Sequence, residues 1–133
     1  MIGELDKKYL DAVLETMPIE ISVLDKEDKV LAWNKHETRI FKRPEAVVGR
    51  NVRNCHPKKS LAKVEQILSE MKQGFRDKAR FWINMKLEDD TLHKVMIEYY
   101  ALRDEHGTYL GCLEASQDIT SIQSLPDEKR LLD

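Results

Sequence analysis

Between residues 79 and 118 the chain carries three strand-like segments, 79–87 (ARFWINMKL), 92–102 (LHKVMIEYYAL) and 108–118 (TYLGCLEASQD). Only the polar gaps Glu88-Asp89-Asp90 and Asp104-Glu105-His106-Gly107 divide them. Gaps this short join antiparallel neighbours and leave no room for a parallel crossover. Upstream, Ile19, Ile21 and Val23 alternate with Glu20 and Ser22, and Val30-Leu31-Ala32-Trp33 resumes after the polar turn Asp25-Lys26-Glu27-Asp28, which reads as another hairpin. Two strands, a block of helices and three antiparallel strands form an α+β order that excludes a doubly wound parallel sheet. It predicts one five-stranded antiparallel sheet with helices over one face, cupped around an interior pocket.

Residues 4–17 place Leu5, Tyr9, Leu10, Val13, Leu14 and Met17 at helical spacing ahead of Pro18. This predicts an amphipathic N-terminal helix within a 1–18 unit, before a core domain over 19–120 and a connector over 121–133. So short a helix is unstable alone in water and must pack on its own sheet or on the same helix of a second chain. Asn34 predicts the N-cap of a short helix over 35–42, and Pro44 and Gly49 mark short helical turns. Leu61, Val64, Ile67, Leu68 and Met71 share one stripe of a longer helix that starts at Pro57 or Ser60 and is capped near Gly74. The terminal Glu128-Lys129-Arg130-Leu131-Leu132 reads as a helix just beginning, as in a truncated chain or a connector.

A chain of 133 residues with 41% hydrophobic content suits one core. No apolar run approaches the roughly 20 residues that span a bilayer, and the first residues lack the shape of a signal peptide, so a cytoplasmic protein without membrane contact is expected. Cys55 and Cys112 form neither a disulfide framework nor a metal motif, and both are expected to be reduced. Residues 35–63 hold nine basic against two acidic residues, leaving −9 for the remainder of a chain whose net charge is −2. Overall acidity, sparse aromatics in that segment and no reading helix argue against nucleic acid. No nucleophile elbow, phosphate-binding loop, zinc-protease or dinucleotide motif is present, and His36, His56, His93 and His106 lack zinc-ligand spacing, so no enzyme is expected.

The order of elements, with Leu24-Asp25, Trp33-Asn34, Val48-Gly49-Arg50, Cys55-His56-Pro57, Gly107 and Asp118-Ile119-Thr120 at their places, resembles the PAS sensor family over about residues 8–122. The stretch 54–60 (NCHPKKS), with Phe81-Trp82-Ile83 and Leu102-Arg103-Asp104, is similar to PAS units found beside hemerythrin-like domains in bacterial proteins. It also resembles the haem-binding PAS units of carbon-monoxide-responsive regulators, whose histidine ligand lies in a similar His-Pro-x-Lys-Ser string. The resemblance implies sensing and signal transmission, by a homodimer or toward a protein effector, rather than turnover.

His56 is the sharpest single candidate. Pro57 biases it away from helical geometry and places its ring just outside the start of a helix, where the dipole disfavours imidazolium and a neutral, metal-ligating ring is favoured. The resemblance implies haem iron on His56; the other reading is a His-Pro pair that merely ends a loop. Met85 and Met96 are the available thioethers for a second axial position, or else core filler. Phe81 stands where the carbon-monoxide regulators place their methionine, a departure from six-coordinate ligation. The basic segment reads as a site for haem propionates or another anionic ligand, as a surface for an acidic partner, or as a solvated outer face, with Arg50 and Arg53 the candidate anion contacts.

On the last strand, alternation sets Cys112, Glu114 and Ser116 on one face and Leu113 and Ala115 on the other. The resemblance turns the first set inward, where Glu114 requires a cationic or hydrogen-bonding partner. Either the pocket is polar and takes a small polar ligand, or this face meets solvent or a partner. Two functions follow: a PAS sensor that binds a small ligand or haem, and a cofactor-free PAS unit for dimerisation or docking.

Overall fold

In the computed structural model, residues 1–132 are described, apart from the side chains of Asn54 and Cys55, so the reduced state expected of Cys55 falls outside the described residues. Strands β1 (Glu20–Asp25), β2 (Val30–Trp33), β3 (Lys78–Lys86), β4 (Leu92–Arg103) and β5 (Tyr109–Asp118) form one antiparallel sheet in the order β2-β1-β5-β4-β3. Helix α1 (Lys7–Thr16) precedes the sheet and α2 (Lys58–Lys72) lies between β2 and β3. The α+β order is therefore as expected, with the last strand at the centre of the sheet.

Each hairpin turn is organised by one aspartate whose carboxylate accepts backbone N–H groups. Asp25 takes those of Glu27 and Lys29, Asp104 those of His106 and Thr108, and Asp89 that of Thr91. Such Asx geometry closes a turn without help from the core. Helix α1 is capped by Asp6, which accepts from the Tyr9 N–H. In α2, Val64, Leu68 and Met71 recur at helical spacing and are buried against Leu24, Val95 and Tyr99 of the sheet. Burial at this level stabilises by about 1.5–3 kcal/mol per large side chain. The helix ends as expected at Gly74, whose φ of +80° suits glycine, and Arg103 donates to the Met71 carbonyl of the last turn.

Two expectations are corrected. No helix forms over 35–42: Asn34 does not cap one, because its side chain is committed elsewhere. Only 3% exposed, its carboxamide accepts from the Ile21 N–H at 2.6 Å and donates to the Leu14 and Ile19 carbonyls at 2.6 and 3.1 Å. Lys35 follows with a φ of +55°, which turns the chain out of helical geometry. The 35–43 segment instead crosses the concave face, and short 3-10 turns follow at Glu45–Val47 and Val52–Cys55. The chain end at 128–132 is likewise not helical, the only regular turn beyond β5 being Ile122–Ser124 among the described residues.

None of the residues of α1 is buried, and Leu5, Tyr9, Leu10 and Val13 stay exposed. Its tie to the domain is polar: the Asn34 bond to Leu14 and a bond from the Lys35 N–H to Glu15. Replacement of Asn34 by Ala strands a buried N–H and two carbonyls. Asn34→Ala is expected to lower stability by about 2–3 kcal/mol in urea unfolding.

Candidate functional site

The strand register dictates what the concave face contains. Cys112 lies opposite Leu24 and Ala101, Glu114 opposite Ser22 and Tyr99, and Ser116 opposite Glu20 and Ile97. With a side-chain period of two, these residues share the face covered by α2. Cys112, Glu114, Ser116, Glu20 and Ser22 are all buried. The inner face of the sheet thus carries a polar block of two glutamates and two serines at its centre.

The 34–43 segment supplies the countercharges. Arg39 is almost wholly buried; it donates to the carbonyls of Ile21, Asn34 and Phe41 and to Ser22 Oγ, and its Nη2 lies 3.8 Å from Glu20. Glu20 in turn accepts from the Ile40 and Phe41 N–H groups at 2.6 and 3.0 Å. Arg43, whose side chain is 13% exposed, donates from Nη2 to Glu114 Oε2 at 3.1 Å. Burial lowers the Arg39 pKa, opposed by Glu20, and burial raises that of Glu114, opposed by Arg43 and Arg39. A buried carboxylate stays ionised only with such a partner, so the two pairs leave the block without net charge.

His56 stands beside this block. It follows the Val52–Cys55 turn with extended backbone, φ −118° and ψ 143°, and Pro57 opens α2 immediately after it. Burial, and then the Arg43 charge, depress its pKa below 6.5, so the ring is neutral at neutral pH. Three buried polar atoms here have no hydrogen-bond partner among the described residues: Arg43 Nε, Glu114 Oε1 and His56 Nε2. Buried groups of this kind are normally satisfied, and a donor, an acceptor and a ring nitrogen left open together mark a place for water or a small polar guest.

The other predicted residues are distributed as the pleat requires. Phe81 and Met85 pack against the core on the inner face, and Phe81 meets the Tyr99 ring edge-on at 5.6 Å. Met96 does not join them; it pairs with Trp82 and Gln117 on the opposite face, one residue out of phase with Val95 and Ile97. Arg50 is exposed, and Arg53 donates to Asp28 at 2.9 Å and to Glu65 at 2.7 Å, away from the polar block. Cys112 is a free thiol whose pKa burial pushes up to about 12, which leaves it unreactive at neutral pH.

Sequence reasoning had not singled out Arg43, Arg39, Glu20 or Ser22. The available signal was Glu114 itself: an inward carboxylate on a central strand requires a cation, and the basic run from Lys35 to Arg43 is the segment free to supply one.

Removal of Arg43 alone leaves Glu114 buried without a partner. Arg43→Ala is expected to cost about 3–5 kcal/mol at pH 8. A glutamate with a raised folded-state pKa contributes stability at low pH that is lost as pH rises through that pKa. The deficit of the variant should therefore shrink on acidification to pH 5, measured by denaturant unfolding at both values.

A family model described as PAS domain matches residues 10–120. The crystal structure of a C-terminal domain from Streptococcus mutans superposes with a TM-score of 0.81 at 32% identity, covering 92% of each chain. The PAS domain of a protein from Colwellia psychrerythraea gives a TM-score of 0.62 at 18% identity, over 86% of this chain and 97% of that one. VqmA bound to DPO gives 0.64 at 17% identity, over 87% of this chain and 59% of that one. The Vibrio cholerae VqmA dimer gives 0.64 at 18% identity, over 89% and 54%. At those identities the last three show the fold alone. No curated protein matches the sequence significantly.

Proposed function

The chain belongs to the PAS domain family, and on that premise we propose that it is a sensory domain which receives a small, uncharged polar ligand between Arg43, His56 and Glu114. The observation that carries this reading is the trio of buried polar atoms without partners beside an ion pair of zero net charge. An anion would meet Glu114, and a cation Arg43, each already engaged. A neutral guest that both donates and accepts, such as an amide, a lactam or a hydroxylated nitrogen heterocycle, answers Glu114 Oε1 and Arg43 Nε together. VqmA, part of which shares the fold, has been solved bound to DPO, which supports a ligand-binding reading.

The residues do not fit haem. His56 Nε2 is an open nitrogen, as an iron ligand would be, but the Arg43 cation bears on the ring and itself holds the buried Glu114 carboxylate. Met96 lies across the sheet. An open cleft of about 640 Å³ between the 37–42 segment and the end of the β3–β4 hairpin is not lined by His56.

The ligand must favour one of two conformations to signal. The 34–43 segment is the element placed to report it, because it holds Arg43 at the ligand and, through Asn34 and Lys35, the end of α1. The exposed stripe of α1 is read as the surface that meets the same helix of a second chain, in keeping with the VqmA dimer. No helix among the described residues is long and apolar enough to cross a membrane.

Two measurements test these readings. In an NMR fragment screen, neutral probes such as 2-pyrrolidinone and 2-pyridone should perturb Tyr99 and Glu114, while acetate and guanidinium should not. The effect should vanish in the Arg43→Met/Glu114→Gln variant, and haemin should give no Soret band that depends on His56. A screen in which no neutral probe perturbs these residues, or one in which the variant responds equally, contradicts the ligand reading. For the second chain, light scattering should show a dimer that Leu10→Glu/Val13→Glu converts to monomer; a monomeric parent chain contradicts that assignment.

A further inference from the structure

A second titratable cluster lies apart from the polar block, at the opposite end of β4, where the chain leaves the domain. His93, near the start of β4, has a ring only 19% exposed and a carboxylate on each nitrogen. Its Nδ1 lies 2.6 Å from Asp118 Oδ2 at the end of β5, and its Nε2 lies 2.8 Å from Asp89 Oδ2 in the β3–β4 turn. Thr91 Oγ1 is also 3.0 Å from Nε2. Ionised carboxylates only accept, so both ring nitrogens must donate, and only imidazolium does so.

The same aspartate holds the start of the exit segment. Asp118 Oδ1 accepts from the Thr120 N–H and hydroxyl at 3.0 and 2.6 Å. Thr120 Oγ1 accepts from the Lys94 N–H at 2.9 Å, and the Ile119 N–H donates to the Lys94 carbonyl at 2.9 Å. The Asp118-Ile119-Thr120 sequence therefore extends the β4–β5 pairing by one more step, and His93 fastens that step to the β3–β4 turn.

We infer that His93 is a proton-operated latch: as imidazolium it ties Asp89 and Asp118 together and holds the exit segment against β4, and on losing a proton it releases one of the two carboxylates. The charges around it permit this role. His93 shares its cleft with Glu37, Arg39, Lys42, Lys86 and Glu88, of which Arg39 is engaged by Glu20 and the Ile21, Asn34 and Phe41 carbonyls, Lys42 is paired with Glu88 at 2.7 Å and Lys86 with Asp90 at 3.7 Å. Asp89 and Asp118 are thus the charges that bear directly on the ring.

The hydrogen bonds to Asp89 and then Asp118 raise the His93 pKa above 6.5, and those from Thr91 and His93 hold Asp89 down at about 2. Asp118 is lowered as well, its bonds from Thr120 and His93 outweighing the opposing effect of burial. A raised histidine pKa gives stability that is fully present below its unfolded value and lost as pH rises through its folded value. The lowered aspartates give stability that is present above their unfolded values and lost as pH falls through the folded ones. The latch is therefore closed from the upper carboxylate range through 6.5 and opens on the alkaline side of the raised histidine pKa.

The test is an NMR pH titration of the whole chain. His93 is expected to titrate above 6.5, and the Ile119 and Thr120 amide resonances are expected to move with the same midpoint. Asp89→Asn, which leaves the Asp118–Thr120 bonds in place, should shift that midpoint downward, and His93→Gln should abolish the step at Ile119 and Thr120. A ring midpoint at or below 6.5, amides that do not follow the ring, a midpoint unmoved by Asp89→Asn, or a step that persists in His93→Gln would each overturn the latch.

Discussion

The rest of the structure depends on the charge pairing between the inner face of the sheet and the segment that crosses it. Two carboxylates, Glu20 and Glu114, face inward from neighbouring strands, where burying a charge without a countercharge is costly. Arg39 and Arg43 provide it, and in doing so they fix the path of residues 34–43 over the concave face. Hydrophobic burial by α2 secures one half of the cup, while ion pairs and backbone hydrogen bonds secure the other. Such a half is costly to desolvate and contributes less stability than an apolar core of equal volume. Its retention makes sense where the interior has to recognise something polar.

Asn34 links this interior to the N-terminus. Its side chain joins β1 to the last turn of α1, and its carbonyl accepts from Arg39. A change at Arg43 therefore has a continuous covalent and hydrogen-bonded route to α1, which is otherwise attached by few contacts and leaves its apolar stripe uncovered. At the opposite end of β4, Asp118 and Thr120 hold the outgoing chain through a different set of groups. The two termini are thus governed by separate polar devices built on one sheet.

Much of the fold was legible because the signals were local. The strand runs, the polar gaps with their aspartates and glycines, the α2 stripe and Pro18 each act within a few residues, and the structure places the elements within a residue or two of those readings, except at the start of α1. The short helix over 35–42 was misread because Asn34 makes an equally good cap or long-range clamp, and its choice depends on Leu14, Ile19 and Ile21, which lie 13 or more residues away. The site was legible in part. Glu114 announced its need for a partner, but Arg39 and Arg43 were two of nine basic residues, and nothing local distinguishes these inward-facing two from Arg50, which the structure leaves exposed. Met96 was placed with Met85 by residue type, whereas the pleat separates them: residue 85 pairs with 93, in phase with 95 and 97, and residue 96 falls between.

A crystal structure at about 1.5 Å resolution would test the central claim most directly, through the electron density around Arg43 Nε, Glu114 Oε1 and His56 Nε2. Ordered density that bridges at least the first two atoms, from water or from a bound molecule, is the result predicted. Closure of Arg43 and Glu114 into a two-bond pair with no density between them and His56, or rotation of either side chain to solvent, would contradict the account of a polar receiving site inside the sheet.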